Sequence, residues 1–252
     1  MKIKYTYVGL ISGILSGLIG LGGGVIVVPL LVLRLKMLQL KAQGTSLIIV
    51  LFSAVAGTII YSLNSSIDWN AALYLAAGST VSIPFGIHYS HKLPERTLKK
   101  CFGGLLIFLA AVLIIKPYLP FSIYCPTEIS RIFVLLAIGL STGFISGLMG
   151  VGGGAITVSA MVLFAGMGQQ AAQGSSLLAM LPTAALGAYK YWKLGNIGTI
   201  FMPGVLAGIA LGTALGGGMA FLLPDHILRI LFSLLLFSIS IRYLWPMPVI
   251  PR

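Results

Sequence analysis

The chain has 252 residues, 58% hydrophobic and 8% charged, with a mean hydropathy of +1.05. A soluble domain carries roughly 25% charged residues, so this chain lacks the polar surface that water demands, and its recurrent apolar runs mark a polytopic membrane protein. The net charge of +12 sets 16 Lys and Arg against only Asp68, Glu95, Glu128 and Asp225; most of the basic residues flank apolar segments, where they report orientation and contact with the lipid bilayer, and no nucleic-acid partner is expected.

In chain order, apolar blocks are predicted at about 5–35, 44–63, 70–90 and 98–119, then at about 132–165, 174–192, 198–222 and 227–246. The proline-bearing stretch KPYLPFSIYCPTEIS (116–130) separates the two sets. The division is therefore an N-terminal repeat over 1–119, a linker over 120–130 and a C-terminal repeat over 131–252. The opening MKIKYTYVGLISGILSGL has the character of a signal peptide. Its residues 7–20, however, fall on the internal segment 137–150 when the chain is shifted by 130 positions, and it is read as structure.

That shift reveals a duplication without a gap. SGLIGLGGGVIVV (16–28) meets SGLMGVGGGAITV (146–158), and QLKAQGTSL (39–47) meets QQAAQGSSL (169–177). Gly57, Tyr61, Gly78, Gly86 and Leu93-Pro94 also meet identical residues, and roughly a third of positions match from about 9 to 106. Internal repeats of this kind are a common origin of transporter folds.

The first block of each half is about 30 residues long, and five glycines fall between Gly17 and Gly24. It is too long for one untilted span and too short for two, so a broken or re-entrant helix with arms of about 12 to 15 residues is expected. Charge counting supports this. If every block crossed fully, eight basic residues would lie on each side. If the glycine blocks enter and leave on one side, Lys2, Lys4, Arg34, Lys36, Lys41, Lys92, Arg96, Lys99, Lys100, Lys190, Lys193, Arg242 and Arg252 face inward, against Lys116, Arg131 and Arg229 outward. Thirteen against three satisfies the positive-inside rule. The expected fold class is an all-α polytopic membrane protein of two inverted-topology repeats, each a glycine-broken or re-entrant helix hairpin plus three transmembrane helices.

Two half-helices meeting at a glycine turn leave backbone groups exposed near mid-membrane, which is tolerated only if they are buried in protein or line a polar cavity. The second arm of each block starts near Gly24 or Gly154, and its N–H groups attract anions. Gly22, Gly23, Gly24, Gly152, Gly153 and Gly154 are therefore candidate binding residues, with close helix packing as the competing role. Packing is the expected role of Gly13, Gly57, Gly78 and Gly86. Gln43, Thr45 and Ser46, with Gln173, Ser175 and Ser176, open the second blocks. They could line the same site with neutral donors, or cap their own helices.

His88 and His91 lie one helical turn apart beside Lys92. Interfacial placement is the first reading, and proton coupling the second. Trp69, Trp192 and Trp245 stand at block ends, as aromatic belts do. Cys101 and Cys125 flank one apolar block, a placement that argues against a disulfide. GVGGGA (150–155) fits a dinucleotide fingerprint but sits in a membrane block with no acid about twenty residues on. No P-loop, HExxH or serine-hydrolase constellation is present, so neither an enzyme nor a cofactor or metal site is expected.

The paired GLIGLGGGVIVVPLL and GLMGVGGGAITVSAM, each followed by AQGTS or AQGSS, resemble the TauE/SafE sulfite exporter family of bacterial and archaeal membrane proteins. The resemblance covers nearly the whole chain. It implies secondary transport of small sulfur-containing anions (sulfite, an organosulfonate or thiosulfate) across the inner cell membrane by a single transport domain. It also implies that the glycine triplets and the Gln-Gly-Thr/Ser-Ser clusters hold the anion. A non-transporting scaffold and an anion channel are the alternatives, and the homo-oligomeric state stays open. Symmetry fails at Pro29, opposite Ser159, and at Phe52, opposite Pro182, so kinks are expected to differ between halves.

Overall fold

The computed structural model describes residues 2–35, 37–94, 128–198 and 202–244, with scattered helical positions between 97 and 114. The linker prolines, Cys101, Cys125 and Trp245 lie outside the described residues. In the first half the helices are α1 (Lys2–Ile19), α2 (Gly24–Leu35), α3 (Gln39–Leu63) and α4 (Trp69–Ser90). In the second they are α5 (Glu128–Met149), α6 (Gly154–Phe164), α7 (Gln169–Lys193), α8 (Met202–Ala220) and α9 (Asp225–Leu244). No strand occurs among the described residues. Of these helices α3, α4, α5 and α8 are long and apolar enough to cross a membrane.

The burial pattern is that of a protein dissolved in hydrocarbon. Phe52, Leu73, Phe85, Leu211 and Phe237 stand exposed, whereas Gln43, Ser46, Ser53, Gln173, Ser176 and Thr213 are buried. Lipid offers polar groups no partner, so they turn inward and hydrogen-bond between helices.

The two halves are interleaved. α1 packs along α8, and α4 along α5, so the helix after the loop in each half lies on the first helix of the other. Glycines permit this. A Cβ added at Gly13 would stand 2.6 Å from the Ile209 carbonyl oxygen, and one at Gly147 would stand 2.4 Å from that of Ile83. The contacts of Gly9, Gly13 and Gly17 rise from Val205 to Gly217, so α1 and α8 run parallel. Gly78 meets Leu136 and Gly86 meets Phe144, so α4 and α5 are parallel as well. Gly13, Gly78 and Gly86 thus stand where close packing needs them.

At the centre, α3 crosses α7. Gly44, near the start of α3, lies against Tyr191 and Asn196 at the end of α7. Gly174, near the start of α7, lies against Tyr61 and Ser66 at the end of α3. α3 and α7 therefore run antiparallel. One end of the molecule carries Lys41, Lys92, Lys190 and Lys193. The other carries the Arg131–Asp68 ion pair at the start of α4.

Candidate functional site

The first block of each half is broken at the glycines. Gly20, Gly22 and Gly23 have φ of 72°, 67° and 81°, and Gly150, Gly152 and Gly153 have 67°, 82° and 79°. This left-handed region costs L-residues with a Cβ free energy, which accounts for three such glycines in each turn. The arms are unequal: α1 and α2 have 18 and 12 residues, and α5 and α6 have 22 and 11. The expectation of arms of 12 to 15 residues is corrected here. α1 and α5 run on because their glycine faces must follow α8 and α4.

After each turn the chain folds back. A Cβ at Gly153 would lie 3.2 Å from the Thr142 carbonyl oxygen, two turns before the end of α5. The two turns then cross one another. A Cβ at Gly24 would lie 2.3 Å from the Val151 carbonyl oxygen, and one at Gly154 would lie 2.8 Å from that of Leu21. Around them stand Val50 and Met180, each halfway along its 25-residue helix. α2 and α6 thus begin at the centre of the molecule, and the leading N–H groups of a helix have no acceptor within it.

The AQGTS and AQGSS clusters lie inside α3 and α7, which begin at Gln39 and Gln169, and they do not cap those helices. They lock the halves together instead. Tyr191 Oη donates to Gln43 Oε1 at 3.1 Å and lies 3.1 Å from the Gly147 carbonyl. Its repeat counterpart Tyr61 reaches Gln173 Oε1 at 2.8 Å and the Gly17 carbonyl at 3.0 Å. Thr45 Oγ1 accepts from the Gly198 N–H at 2.9 Å, and Ser175 Oγ from the Asp68 N–H at 2.8 Å. Thr45 and Ser175 therefore face the end loops. Ser46 Oγ donates to the Gly150 carbonyl, and Ser176 Oγ meets Met180 Sδ at 3.7 Å.

Gln43 and Gln173 remain as donors. Each is at most 1% exposed and lies against the opposite glycine turn, Gln43 on Gly150 and Gln173 on Gly20. Each has an Nε2 with no hydrogen-bond partner, as does Ser146 Oγ beside Gly153. A buried donor without a partner costs about 1–3 kcal/mol, so two equivalent ones, one against each glycine turn, call for a functional reason.

A small cavity of about 10 Å³, room for roughly one water, adjoins the C-terminal turn. Ser79, Thr142, Thr157 and Thr183 line it with Gly152 and Met180. Ser79 and Thr183 hydroxyls pair at 2.6 Å. Ser16, Ser53 and Thr213 form a chain of hydroxyls, at 2.9 Å per step, whose Ser16 end lies beside the N-terminal turn at Gly23. Sequence reasoning did not find these hydroxyls. The mismatches Thr157/Val27 and Ser79/Ile209 under the 130-residue shift were the available signal. Among the described residues no group of His, Cys, Asp and Glu could hold a metal ion.

The family described as sulfite exporter TauE/SafE matches residues 2–113 and 135–251, nearly the whole chain. The chain belongs to this family. As a TauE/SafE member it is 27% identical to the probable membrane transporter protein YunE of Bacillus subtilis, over 90% of its own length and 93% of YunE. It is 27% identical to a probable membrane transporter protein of Xylella fastidiosa, over 92% of its length and 91% of the relative. An archaeal relative, MJ0441 of Methanocaldococcus jannaschii, also named a probable membrane transporter, is 31% identical over 62% of this chain and 60% of its own. No solved structure matches this TauE/SafE chain.

Proposed function

We propose that this TauE/SafE protein is a multi-pass transporter of a bacterial or archaeal inner membrane, and that it carries small sulfur-containing anions by alternating access. The observation that carries the reading is the crossing of two glycine turns halfway along α3 and α7. There two helix N-termini meet with no described acidic residue beside them, and the buried, unpartnered amides of Gln43 and Gln173 flank the turns, one against Gly150 and one against Gly20. Those groups offer an oxyanion neutral and partial-charge donors that cost little when it leaves. Gly22 to Gly24 and Gly152 to Gly154 let it approach the backbone. Thr45, Ser46, Ser175 and Ser176 hold the surrounding interlock.

The antiparallel run of α3 and α7 and the folded-back turns support two inverted repeats, residues 1–119 and 131–252, working as one transport domain. Lys41, Lys92, Lys190 and Lys193 at one end, against Arg131 at the other, support the positive-inside orientation. A cavity with room for one water favours a carrier that must change shape over an open pore. The test is flux of labelled sulfite, thiosulfate and a sulfonate in proteoliposomes. The expected result is saturable flux of at least one of them. Absence of flux for all would overturn the reading, and flux that rises linearly with concentration would replace the carrier with a channel.

A further inference from the structure

The two mouths of the molecule have the same backbone and opposite chemistry. At the end where α4 and α7 finish, a cleft of about 410 Å³ has walls of Pro84, Ile87 and Leu194 and is rimmed by His88, His91, Lys92, Lys190 and Lys193. None of the acidic residues described in the structure lines it: Asp68 pairs with Arg131, Asp225 holds the Gln169 N–H, and Glu128 opens α5 at the Arg131 end. Under the 130-residue shift, its five basic residues fall on Gly218, Phe221, Leu222, Ile60 and Leu63. The equivalent position at the other mouth is filled by Phe221 packed on Tyr61, ring centroids 5.0 Å apart.

The cleft is also connected to the central crossing. His91 Nδ1 lies 3.2 Å from Ser90 Oγ, which lies 3.2 Å from Tyr191 Oη. Tyr191 is fully buried and donates onward to Gln43, which lies against Gly150. The His91 ring lies 6.1 Å from that of Tyr191, tilted by 30°. Lys92 and Lys193 rest over the rings of Tyr89 and Tyr189, at 5.9 and 4.8 Å. Such cation–π contacts fix where the two ammoniums stand.

From this we infer that the cleft is an outer binding site for a polyatomic oxyanion, present at one mouth only. Several cations converging on a concave surface with no counter-carboxylate among the described residues concentrate anions before they enter. The lysine ammoniums and the His88 imidazole supply charge-assisted hydrogen bonds to sulfur–oxygen or phosphorus–oxygen groups alike, while His91 is held by the Ile87 carbonyl and Asn196. The oxyanion is either free in solution or carried on a lipid headgroup. The inference extends the transport reading by naming where an anion is collected, yet its binding test stands without flux.

The experiment uses the full chain in nanodiscs of neutral phosphatidylcholine, with sulfate and thiosulfate as probes in isothermal titration. Lys190→Gln/Lys193→Gln should weaken binding by about tenfold or more, as expected when charge-assisted bonds become neutral ones. The Lys190→Arg/Lys193→Arg variant should bind like the parent, and Lys41→Gln, on the same face outside the cleft, should change nothing. In a second arm, native mass spectrometry counts anionic lipid retained by the parent and by the Gln variant. Loss of probe binding assigns the site to a free anion; loss of retained anionic lipid alone assigns it to a headgroup phosphate. If the Gln variant keeps both at parental levels, the inference is overturned. Intact probe binding with no proteoliposome flux would overturn the transport reading and leave this one standing.

Discussion

Gly24→Ala isolates the contact between the two turns. Gly24 begins α2 with an ordinary φ, so alanine there carries no backbone strain, and the whole effect is steric. Its Cβ would stand 2.3 Å from the Val151 carbonyl oxygen and 2.8 Å from Val50 Cγ2. Ordinary contact begins near 3.4 Å, so the turns must separate by about 1 Å. Overpacking of this size costs about 1–3 kcal/mol, and a 1 Å displacement of a binding geometry costs about 100-fold in rate. The expected outcome is a lower melting temperature of the purified protein and about 100-fold less flux in proteoliposomes. Gly218→Ala, where an added Cβ meets nothing within 4 Å, serves as the control and should lose neither. Gly24→Ala with parental melting and parental flux would refute the crossing of the turns as the structure places it.

Tyr191→Phe removes the hydroxyl that serves Gln43 and Gly147, and should cost about 1–3 kcal/mol by leaving buried acceptors unmade. Tyr61→Phe removes the equivalent bonds to Gln173 and Gly17 but no counterpart of the Ser90 contact. It should therefore cost no more than Tyr191→Phe in denaturant titration, and a clearly larger cost would contradict the paired geometry. Thr183→Val deletes the hydroxyl that Ser79 meets in the small cavity. We expect KM for the transported anion to rise several-fold, with a stability loss near 1 kcal/mol; Ser53→Ala, in the other half, should leave KM unchanged.

The glycine turns were legible because GLGGG and GVGGG break any helix and recur 130 residues apart. The small-residue faces were legible too: Gly9, Gly13 and Gly17 fall four apart, the spacing that lets two backbones approach. What each face meets was not legible. Gly13 opposite Gly212, and Gln43 opposite Tyr191, are pairings across more than a hundred residues, and no local preference encodes them. Ser79, Thr142, Thr157 and Thr183 stayed hidden for a different reason. Each is an ordinary small hydroxyl on an apolar helix, and Thr142, Thr157 and Thr183 bond back to their own turn, so only the fold assembles them. Thr45 and Ser175 misled the capping argument because the helices start earlier than the hydrophobic blocks, at Gln39 and Gln169.

The pairing of α1 with α8 has a consequence for biosynthesis. The ribosome adds about 5–20 residues per second, and residues 20–201 separate the end of α1 from the start of α8. The glycine face of α1 therefore waits roughly 10–40 s in the nascent chain before its partner exists. During that interval its neighbours are lipid, the insertion machinery, the earlier helices of its own chain or a second nascent copy. A full-length chain thus matures as one unit, and a translation product stopped at residue 119 leaves the membrane with a helix face that only another half-chain can cover.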